Sequence, residues 1–258
     1  MIELNKIYNE DCLEGMKRIP DGSVDCIICD LPYGTTVCKW DNVIPFDSLW
    51  AQYKRIRKPY TPILLFGSEP FSTKLRMSNI DEFRYDWIWV KNKHGDFVHA
   101  KNRPIKAHEI ISCFCNYGMG HQSIMGNRRM PYHPQGLLKH YAVRHTGKAN
   151  FGGILGKRPS HKDIVISEWT NYPTSVLFFD IEKNTWHPTQ KPLSLIRYLI
   201  NTYTEVGGVV LDNCMGSGTT AIAAIREKRN FIGFELDKDY YEKACKRIKV
   251  ELAQPSLF

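Results

Sequence analysis

The sequence lacks long apolar runs: no stretch approaches the roughly 18 residues that a membrane-spanning helix needs. The first residues, from Met1 to Lys6, have neither the basic start nor the apolar centre of a secretory signal peptide. No internal repeat occurs either, so a repeat architecture is not expected. We therefore expect a protein with no membrane partner that stays in the cytosol of the cell that makes it.

The sequence also lacks the two matching cysteine pairs of a typical zinc site. The eight cysteines lie mostly within apolar, strand-like runs, which suits reduced thiols better than a disulfide framework. Cys26 and Cys29 have the Cys-x-x-Cys spacing of a zinc site, but no second pair matches them. Because residues three apart in an extended strand point to opposite faces, the sequence predicts buried structural cysteines and no metal site.

The 258 residues, of which 43% are hydrophobic and 24% charged, are enough for one ordinary globular core. Apolar runs typical of strands alternate with helical segments, and this pattern predicts an α/β fold with a mostly parallel, doubly wound sheet. From about residue 116 to 183 the periodicity fades, while Gly, Pro, His and basic residues accumulate. We expect one domain, 1–258, with a core of 1–115 and 184–258 and an inserted recognition region at 116–183.

The formal charge of +8 is unevenly distributed. Between Lys91 and Ser160 there are 12 Lys and Arg against 2 Asp and Glu, a local charge of +10 that leaves −2 for the remainder. The same stretch holds seven of the nine histidines, interleaved with Tyr and Phe. This composition is typical of a surface that faces nucleic acid, although a solvated basic face is the alternative.

The chain from Val209 to Thr220 ends an apolar run at Asp212 and then breaks into a glycine turn that opens a helix. Gly216 and Gly218 permit backbone angles and close ligand approach that a side chain would block. The next apolar run, within 230–237, also ends in an acid, which is suited to bind a ribose diol. Glycines that merely shape a turn are the alternative, but the order and spacing favour a nucleoside-cofactor site.

The turn Asp30-Leu-Pro-Tyr-Gly34 lies where a predicted strand meets a loop, the place where open α/β sheets bind ligands. Asp30 and the Leu31 carbonyl can each accept a hydrogen bond from one NH₂ group, and the Tyr33 ring can stack on a heterocycle. Pro32 disfavours the α region for Leu31 and so directs that carbonyl outward. Two acceptors on one amine would turn its nitrogen lone pair toward an electrophile.

Together these segments resemble the amino-methyltransferases of DNA, which use S-adenosylmethionine to methylate exocyclic amines of adenine or cytosine. That family carries an Asp-Pro-Pro-Tyr motif, a motif of the form Asp-Pro-Phe-x-Gly-Ser-Gly-Thr, and a His-Pro-Thr-Gln-Lys-Pro motif. The last is intact here at 187–192, and the others occur as Asp30-Leu-Pro-Tyr33 and Asp212-Asn-Cys-Met-Gly-Ser-Gly-Thr219. The catalytic motif comes first, similar to the beta-class order, which implies a circularly permuted Rossmann-like methyltransferase sheet.

The resemblance implies roles for individual residues. The substrate amine would meet Asp30, Leu31, Pro32 and Tyr33. The methionine end of the cofactor would meet Asp212, Gly216 and Gly218, its carboxylate Thr189 and Lys191, its ribose Glu235, and its adenine Asp11 and Cys12. The implied cofactor set is completed by Asp30, His187, Cys214, Ser217, Thr219 and Leu236. DNA contacts are expected from Arg128, Arg129, Lys157 and Arg158.

Two positions depart from the family pattern. Leu31 replaces the first proline of the catalytic motif, which keeps the carbonyl acceptor but loses the locked φ angle. Cys214 replaces the usual phenylalanine, so an aromatic contact to the cofactor is weakened or supplied elsewhere. Asp rather than Ser at position 30 favours adenine as the target base. The Pro-Cys nucleophile loop of carbon-5 cytosine methyltransferases is absent, which argues against covalent catalysis.

The sequence thus predicts S-adenosylmethionine-dependent methylation of adenine N6 in double-stranded DNA, by direct transfer to a flipped base. Cytosine N4 is the alternative target. An RNA or protein methyltransferase and a nucleic-acid-binding module without turnover are competing classes. The resemblance implies a prokaryotic or phage-encoded protein, and it leaves open a homodimer and a cognate restriction enzyme as partners.

Overall fold

The computed structural model describes residues 2–35, 41–95, 97–117, 128–145, 164–183 and 185–253. Within these ranges the strands are β1 (Lys6–Tyr8), β2 (Cys26–Asp30), β3 (Ile63–Gly67), β4 (Phe83–Val90), β5 (His108–Phe114), β6 (Leu138–His145), β7 (Ile164–Thr170), β8 (Val176–Phe178), β9 (Val209–Asp212) and β10 (Asn230–Phe234). The helices are α1 (Cys12–Met16), α2 (Phe46–Ile56), α3 (Phe71–Ser78), α4 (Leu193–Tyr203), α5 (Thr219–Arg226) and α6 (Lys238–Ala253). Short 3₁₀ helices occur at Ile80–Glu82 and Phe97–His99.

Eight strands form one sheet in the order β1-β10-β9-β2-β3-β5-β4-β8. Neighbouring strands are parallel except at β5, which runs antiparallel to both β3 and β4. Parallel neighbours need crossover connections, and the helices supply them on both faces of the sheet. The predicted doubly wound, mostly parallel α/β sheet is therefore confirmed. β1 lies beside β10, as the permuted motif order requires.

The sheet separates two apolar layers. Residues of α4, α5 and α6 pack on one face, where Ile28 is buried, and residues of α1, α2 and α3 pack on the other, where Ile27 is buried. Alternate residues of a strand point to opposite faces, so the apolar run of β2 fills both layers. Cys26 lies in the first layer and Cys29 in the second, and both are free thiols. The prediction of buried structural cysteines is confirmed.

Helix α2 links this core to the loop that follows β9. Its buried residues, Leu49, Trp50, Tyr53 and Ile56, recur at the spacing of one helical face. The Tyr53 hydroxyl donates a hydrogen bond to Asn213 Oδ1 at 2.5 Å. Because Tyr53 and Asn213 are both buried, this bond fixes the start of the glycine turn against the helix layer.

The predicted recognition region, 116–183, contains three strands within its described residues. β6 and β7 pair as a separate antiparallel ribbon. β8 instead joins the edge of the large sheet by pairing with β4, and Met130 packs against the core layer of α4. Parts of this region therefore contribute to the main core, while its boundaries as a recognition insertion stay a prediction.

Candidate active site

The carboxyl ends of β2, β9 and β10 meet at one cavity with a volume of about 360 Å³. The carboxyl ends of parallel strands lie at one edge of a sheet, so motifs remote in sequence converge there. The predicted residues that line this cavity are Asp11, Cys12, Asp30, Leu31, Pro32, Tyr33, His187, Thr189, Lys191, Asp212, Cys214, Gly216, Ser217, Thr219, Glu235 and Leu236. Gly218 is the member of the predicted substrate and cofactor set that does not line it.

Asp30 is the last residue of β2, and the turn after it is anchored from outside the motif. The Tyr33 hydroxyl donates to Asp30 Oδ1 at 2.6 Å, and the Tyr33 ring stacks on Phe71 of α3 with 4.9 Å between ring centroids. The carboxylate of Asp41 accepts hydrogen bonds from two backbone N–H groups just after the motif, at 2.8 and 2.9 Å. Neither support was predicted from the sequence, because Phe71 and Asp41 belong to segments with no motif.

Lys191 reaches the same turn from the intact motif that precedes α4. Its ammonium forms an ion pair with Asp30 Oδ2 and lies 3.4 Å from Glu109 Oε2. It also lies 5.2 Å from the ring centroid of Phe66. In the structure, the Lys191 ammonium is paired with Asp30, the candidate catalytic carboxylate. The contact between Lys191 and the carboxylate of the cofactor stays a prediction.

Burial and charge shift the three ionisable groups of this network. Burial opposes the charge of Lys191, but Asp30 and Glu109 outweigh it and raise the pKa of Lys191 to about 12. Burial raises the pKa of Asp30, an effect that Lys191 opposes and the charge of Glu109 reinforces. Burial acts in the same sense on Glu109, yet Lys191 and Lys91 outweigh it and lower the pKa of that carboxyl. The pKa values of the two carboxyl groups are therefore shifted in opposite directions, upward for Asp30 and downward for Glu109.

Asp212, at the end of β9, organises the glycine turn. Its Oδ2 accepts a hydrogen bond from the Thr220 hydroxyl at 2.6 Å, and its Oδ1 accepts one from the Cys214 N–H at 3.1 Å. Burial raises the pKa of Asp212 to about 6, although these hydrogen bonds oppose the shift. The carboxylate therefore ties the strand to the first turn of α5 at the floor of the cavity.

Gly216 and Glu235 form a cradle in the cavity wall. Gly216 has a φ of +52°, and a Cβ at that position would lie 3.1 Å from His187 Nε2. Glu235 accepts hydrogen bonds from the N–H groups of Gly216, at 2.7 Å, and Asp237, at 2.8 Å. A carboxylate offers about four acceptor positions, so both oxygens can still accept bonds from a ribose diol. The cradle fits a nucleoside cofactor.

Gly218 has a structural role that differs from that of Gly216, because it faces α6 and not the cavity. Its φ is +77°, and a Cβ there would lie 3.2 Å from the Ala244 Cβ of α6. The position therefore needs glycine for its backbone angle and for close packing between α5 and α6. A contact between Gly218 and the cofactor stays a prediction.

Other predicted cofactor residues line the cavity beyond the cradle. The His187 ring lies 4.4 Å from the Tyr240 ring between centroids, and burial, with the nearby Lys191 charge, lowers the pKa of His187 to about 4. At neutral pH this histidine is uncharged. Asp11 caps α1 by accepting the Leu13 N–H at 2.8 Å, which fixes its carboxylate at the rim.

Glu109, near the start of β5, is the main site residue that the sequence did not reveal. It lines the cavity, pairs with Lys91 and lies beside Lys191. One signal was available: Glu109 is one of only two acids in the basic stretch 91–160. An isolated acid in a strand surrounded by positive charge indicates a specific partner.

A family model described as DNA methylase, for N6 and N4 methylation, matches residues 24–246. The chain belongs to this family. It is therefore a DNA methylase of the class that modifies exocyclic amines, as the motifs predict, and the family depends on S-adenosylmethionine. The match includes the Asp30 turn, the 187–192 motif and the glycine turn, which are the segments that meet in the cavity.

Relatives of this DNA methylase extend over nearly its whole length. It is 26% identical to Type II methyltransferase M1.MboII of Moraxella bovis, covering 95% of this chain and 96% of the relative. It is 29% identical to Type II methyltransferase M.BglII of Bacillus subtilis, covering 93% of this chain and 68% of the relative.

Solved structures share the fold. M1.HpyAVI in complex with SAM superposes with a TM-score of 0.60 at 23% identity, covering 94% of this chain and 98% of that one. The cytosine-N4-specific PvuII DNA methyltransferase gives a TM-score of 0.63 at 15% identity, covering 98% and 87%. Both likenesses show that this methylase shares their fold.

The predicted DNA-binding residues are only partly described. Arg128 and Arg129 are exposed, whereas Lys157 and Arg158 lie outside the described residues. Among the residues with described positions, no cluster of His, Cys, Asp or Glu could hold a metal ion. In that same part of the chain, none of the helices has the length and apolar character needed to cross a membrane.

Proposed function

We propose that this protein transfers the methyl group of S-adenosylmethionine to N6 of adenine in double-stranded DNA. The observation that carries the proposal is that the Asp30 turn and the cradle of Gly216 and Glu235 open into one cavity. Family membership supports methylation of an exocyclic amine. The choice of adenine rests on Asp at position 30, which the family tends to pair with that base.

S-adenosylmethionine, when bound, supplies an electrophilic methyl group. Glu235 binds the ribose hydroxyls through its remaining acceptor positions, and Gly216 leaves room for the ligand beside His187. Asp11 and Leu236 line the part of the cavity that we assign to the cofactor adenine. These residues position the cofactor and exclude water from the centre of the cavity.

The substrate side of the cavity orients the amine. Asp30 and the Leu31 carbonyl each accept one N–H, which turns the nitrogen lone pair toward the methyl donor. The Tyr33 ring stacks on the base, which must leave the duplex to enter the cavity. Asp30 then accepts the proton that the methylated amine loses, and burial, which raises the pKa of Asp30, favours that transfer.

The remaining partners follow from this activity. Exposed Arg128 and Arg129 contact DNA phosphates. Lys157 and Arg158 belong to the same basic stretch of the sequence and are proposed to do the same. The Type II names of the curated relatives support a cognate restriction enzyme as a partner. A homodimer remains the further option for assembly.

Cytosine N4 is the second candidate target, because a relative of similar fold is named as cytosine-N4-specific. Both bases present the same NH₂ group to Asp30, so the amine contacts alone do not choose between them. The choice depends on residues that contact the remaining edges of the base.

The decisive test is to incubate the protein with methyl-labelled S-adenosylmethionine and unmethylated DNA, and then digest the DNA to nucleosides. Labelled N6-methyl-2′-deoxyadenosine is the expected product. Labelled N4-methyl-2′-deoxycytidine would keep the mechanism and overturn the substrate. Label in RNA or protein only, under parallel incubations, would move the activity to the competing classes.

A further inference from the structure

In the structure, both carboxylate oxygens of Asp30 already have partners. Oδ1 accepts the Tyr33 hydroxyl at 2.6 Å, and Oδ2 is paired with the Lys191 ammonium. If Asp30 accepts the substrate amine, as the proposed function requires, the amine competes with a charged donor for the same carboxylate. A charged donor forms the stronger hydrogen bond, so the ammonium needs another acceptor close by.

Glu109 supplies an acceptor in the right place. Its Oε2 lies 3.4 Å from the Lys191 Nζ. Within the part of the chain that the structure describes, this oxygen is buried and has no hydrogen-bond partner. A buried carboxylate oxygen without a hydrogen bond is costly, and a small shift of the ammonium would satisfy it.

We propose that Glu109 is a positioning residue that takes over the Lys191 ammonium when Asp30 accepts the substrate amine. The inference rests on the proposed function, since it concerns how Asp30 becomes available. The ammonium remains paired throughout, so Asp30 is released without leaving a buried cation alone. Lys91 is paired with the other carboxylate oxygen of Glu109, Oε1, and fixes that carboxylate in place.

The charged and titratable groups that face Asp30 set the expected pH behaviour. They are Lys191, Glu109, Tyr33, Cys29 and Asp212, with Lys91 acting through Glu109. Of these, Glu109 contributes a negative charge that raises the pKa of Asp30. Removal of that charge therefore lowers the pKa of Asp30, and it also leaves Lys191 more tightly paired with Asp30.

The test compares wild type with Glu109→Gln, which keeps the side-chain shape and removes the charge. Methyl transfer to DNA at the pH plateau is expected to fall on the order of tenfold, as for the loss of one hydrogen bond to a charged group. The acidic limb of kcat/KM against pH is expected to move to lower pH. Simple loss of structure would lower the plateau and leave that limb in place.

Two variants serve as controls. Glu227→Gln removes an ion-paired carboxylate of similar exposure, 13% against 14% for Glu109, at the far end of α5. Glu227→Gln is expected to keep the wild-type activity at the pH plateau and the wild-type position of the acidic limb. Glu109→Asp keeps the charge and is expected to keep the limb near its wild-type position. If Glu109→Gln matches Glu227→Gln in both plateau and limb, the proposal is overturned.

A measurement without turnover separates this proposal from the proposed function. NMR titration of the lysine side chains, with Lys191 assigned from the spectrum of Lys191→Arg, follows the ammonium directly. In Glu109→Gln the pKa of Lys191 is expected to fall, because Glu109 contributes to raising it. An unchanged Lys191 pKa overturns the role of Glu109, whatever the wild type methylates. A wild type that methylates no DNA overturns the proposed function alone.

Discussion

At the scale of single residues, Asp30 is the residue on which the chemistry depends. It ends β2, and its side chain is 23% exposed toward the cavity. Among the described residues, its carboxylate bonds to the Tyr33 hydroxyl and the Lys191 ammonium. The cofactor cradle of Gly216 and Glu235 has its own hydrogen bonds. Methyl transfer and cofactor binding should therefore separate on mutation.

Replacement of Asp30 by alanine is expected to reduce methyl transfer at least about 100-fold, because the acceptor that orients and deprotonates the amine is lost. Cofactor affinity should remain close to wild type. Labelled methyl transfer and isothermal calorimetry with S-adenosylmethionine measure the two effects. Turnover retained in Asp30→Ala would remove the catalytic role of this residue.

Asp212 links stability to pH. Burial raises the pKa of this carboxyl from 3.8 to about 6, so the folded state binds the proton more tightly than the unfolded chain. The sign follows: the contribution of Asp212 to the free energy of unfolding falls as pH rises from about 4 to about 6. Ionised Asp212 therefore costs stability at neutral pH.

Asp212→Asn removes this dependence while keeping the side-chain shape. The free energy of unfolding of the variant minus that of wild type should rise by on the order of 2 kcal/mol from pH 4 to pH 8. The rise is expected because wild-type Asp212, with its pKa shifted to about 6, loses stability over this range and Asn does not. Denaturant unfolding of both proteins at pH 4, 6 and 8 measures the difference. A difference that does not vary with pH would contradict this account.

At the scale of elements, the contact between α4 and β4 holds a polar group inside the core. Tyr203 is fully buried, and its hydroxyl accepts the Trp87 Nε1–H at 2.6 Å and lies 2.6 Å from the Tyr85 hydroxyl. The helix that follows the 187–192 motif is thereby fixed against the antiparallel part of the sheet.

Tyr203→Phe is expected to lower the free energy of unfolding by about 1–3 kcal/mol, because the buried Trp87 N–H loses its acceptor. Tyr172→Phe removes a hydroxyl from a side chain that is 60% exposed and is the matched control. Thermal or denaturant unfolding of the two variants gives the comparison. Equal effects of the two substitutions would mean that the buried hydroxyl contributes nothing specific.

At the scale of the whole molecule, the positive charge is concentrated in one region. The stretch 91–160 carries +10, against −2 for the rest of the chain. Arg128 and Arg129 belong to it and are exposed. A duplex that binds there would release counterions, so its affinity should depend steeply on salt.

Charge reversal at both Arg128 and Arg129 should weaken DNA binding and reduce the slope of log affinity against log salt by about one for each lost phosphate contact. The matched control reverses two exposed lysines of α6, Lys246 and Lys249, and changes the net charge equally. Fluorescence titration of a labelled duplex at several salt concentrations measures both slopes. Identical slopes for the two double variants would show that these arginines only solvate a surface.

The strand before the glycine turn agrees with the sequence, because the apolar run that was expected to end at Asp212 is β9, Val209–Asp212. The acidic end of the last apolar run behaves differently: β10 ends at Phe234, and Glu235 leaves the sheet to turn into the cavity. Helix α3 was not predicted, because Phe71–Ser78 is a short, largely polar segment with a weak periodic signal.

The sequence by itself determined the family, the order of the motifs and the motif residues that line the cavity. These follow from contiguous segments, in which residue type and spacing express the chemistry locally. Only the tertiary structure decided that Lys191 meets Asp30, 161 positions away, and that Glu109 lies beside both. That arrangement exists because β5 runs antiparallel between β3 and β4 and brings its first residues to the carboxyl edge of β2. No local pattern encodes such a register.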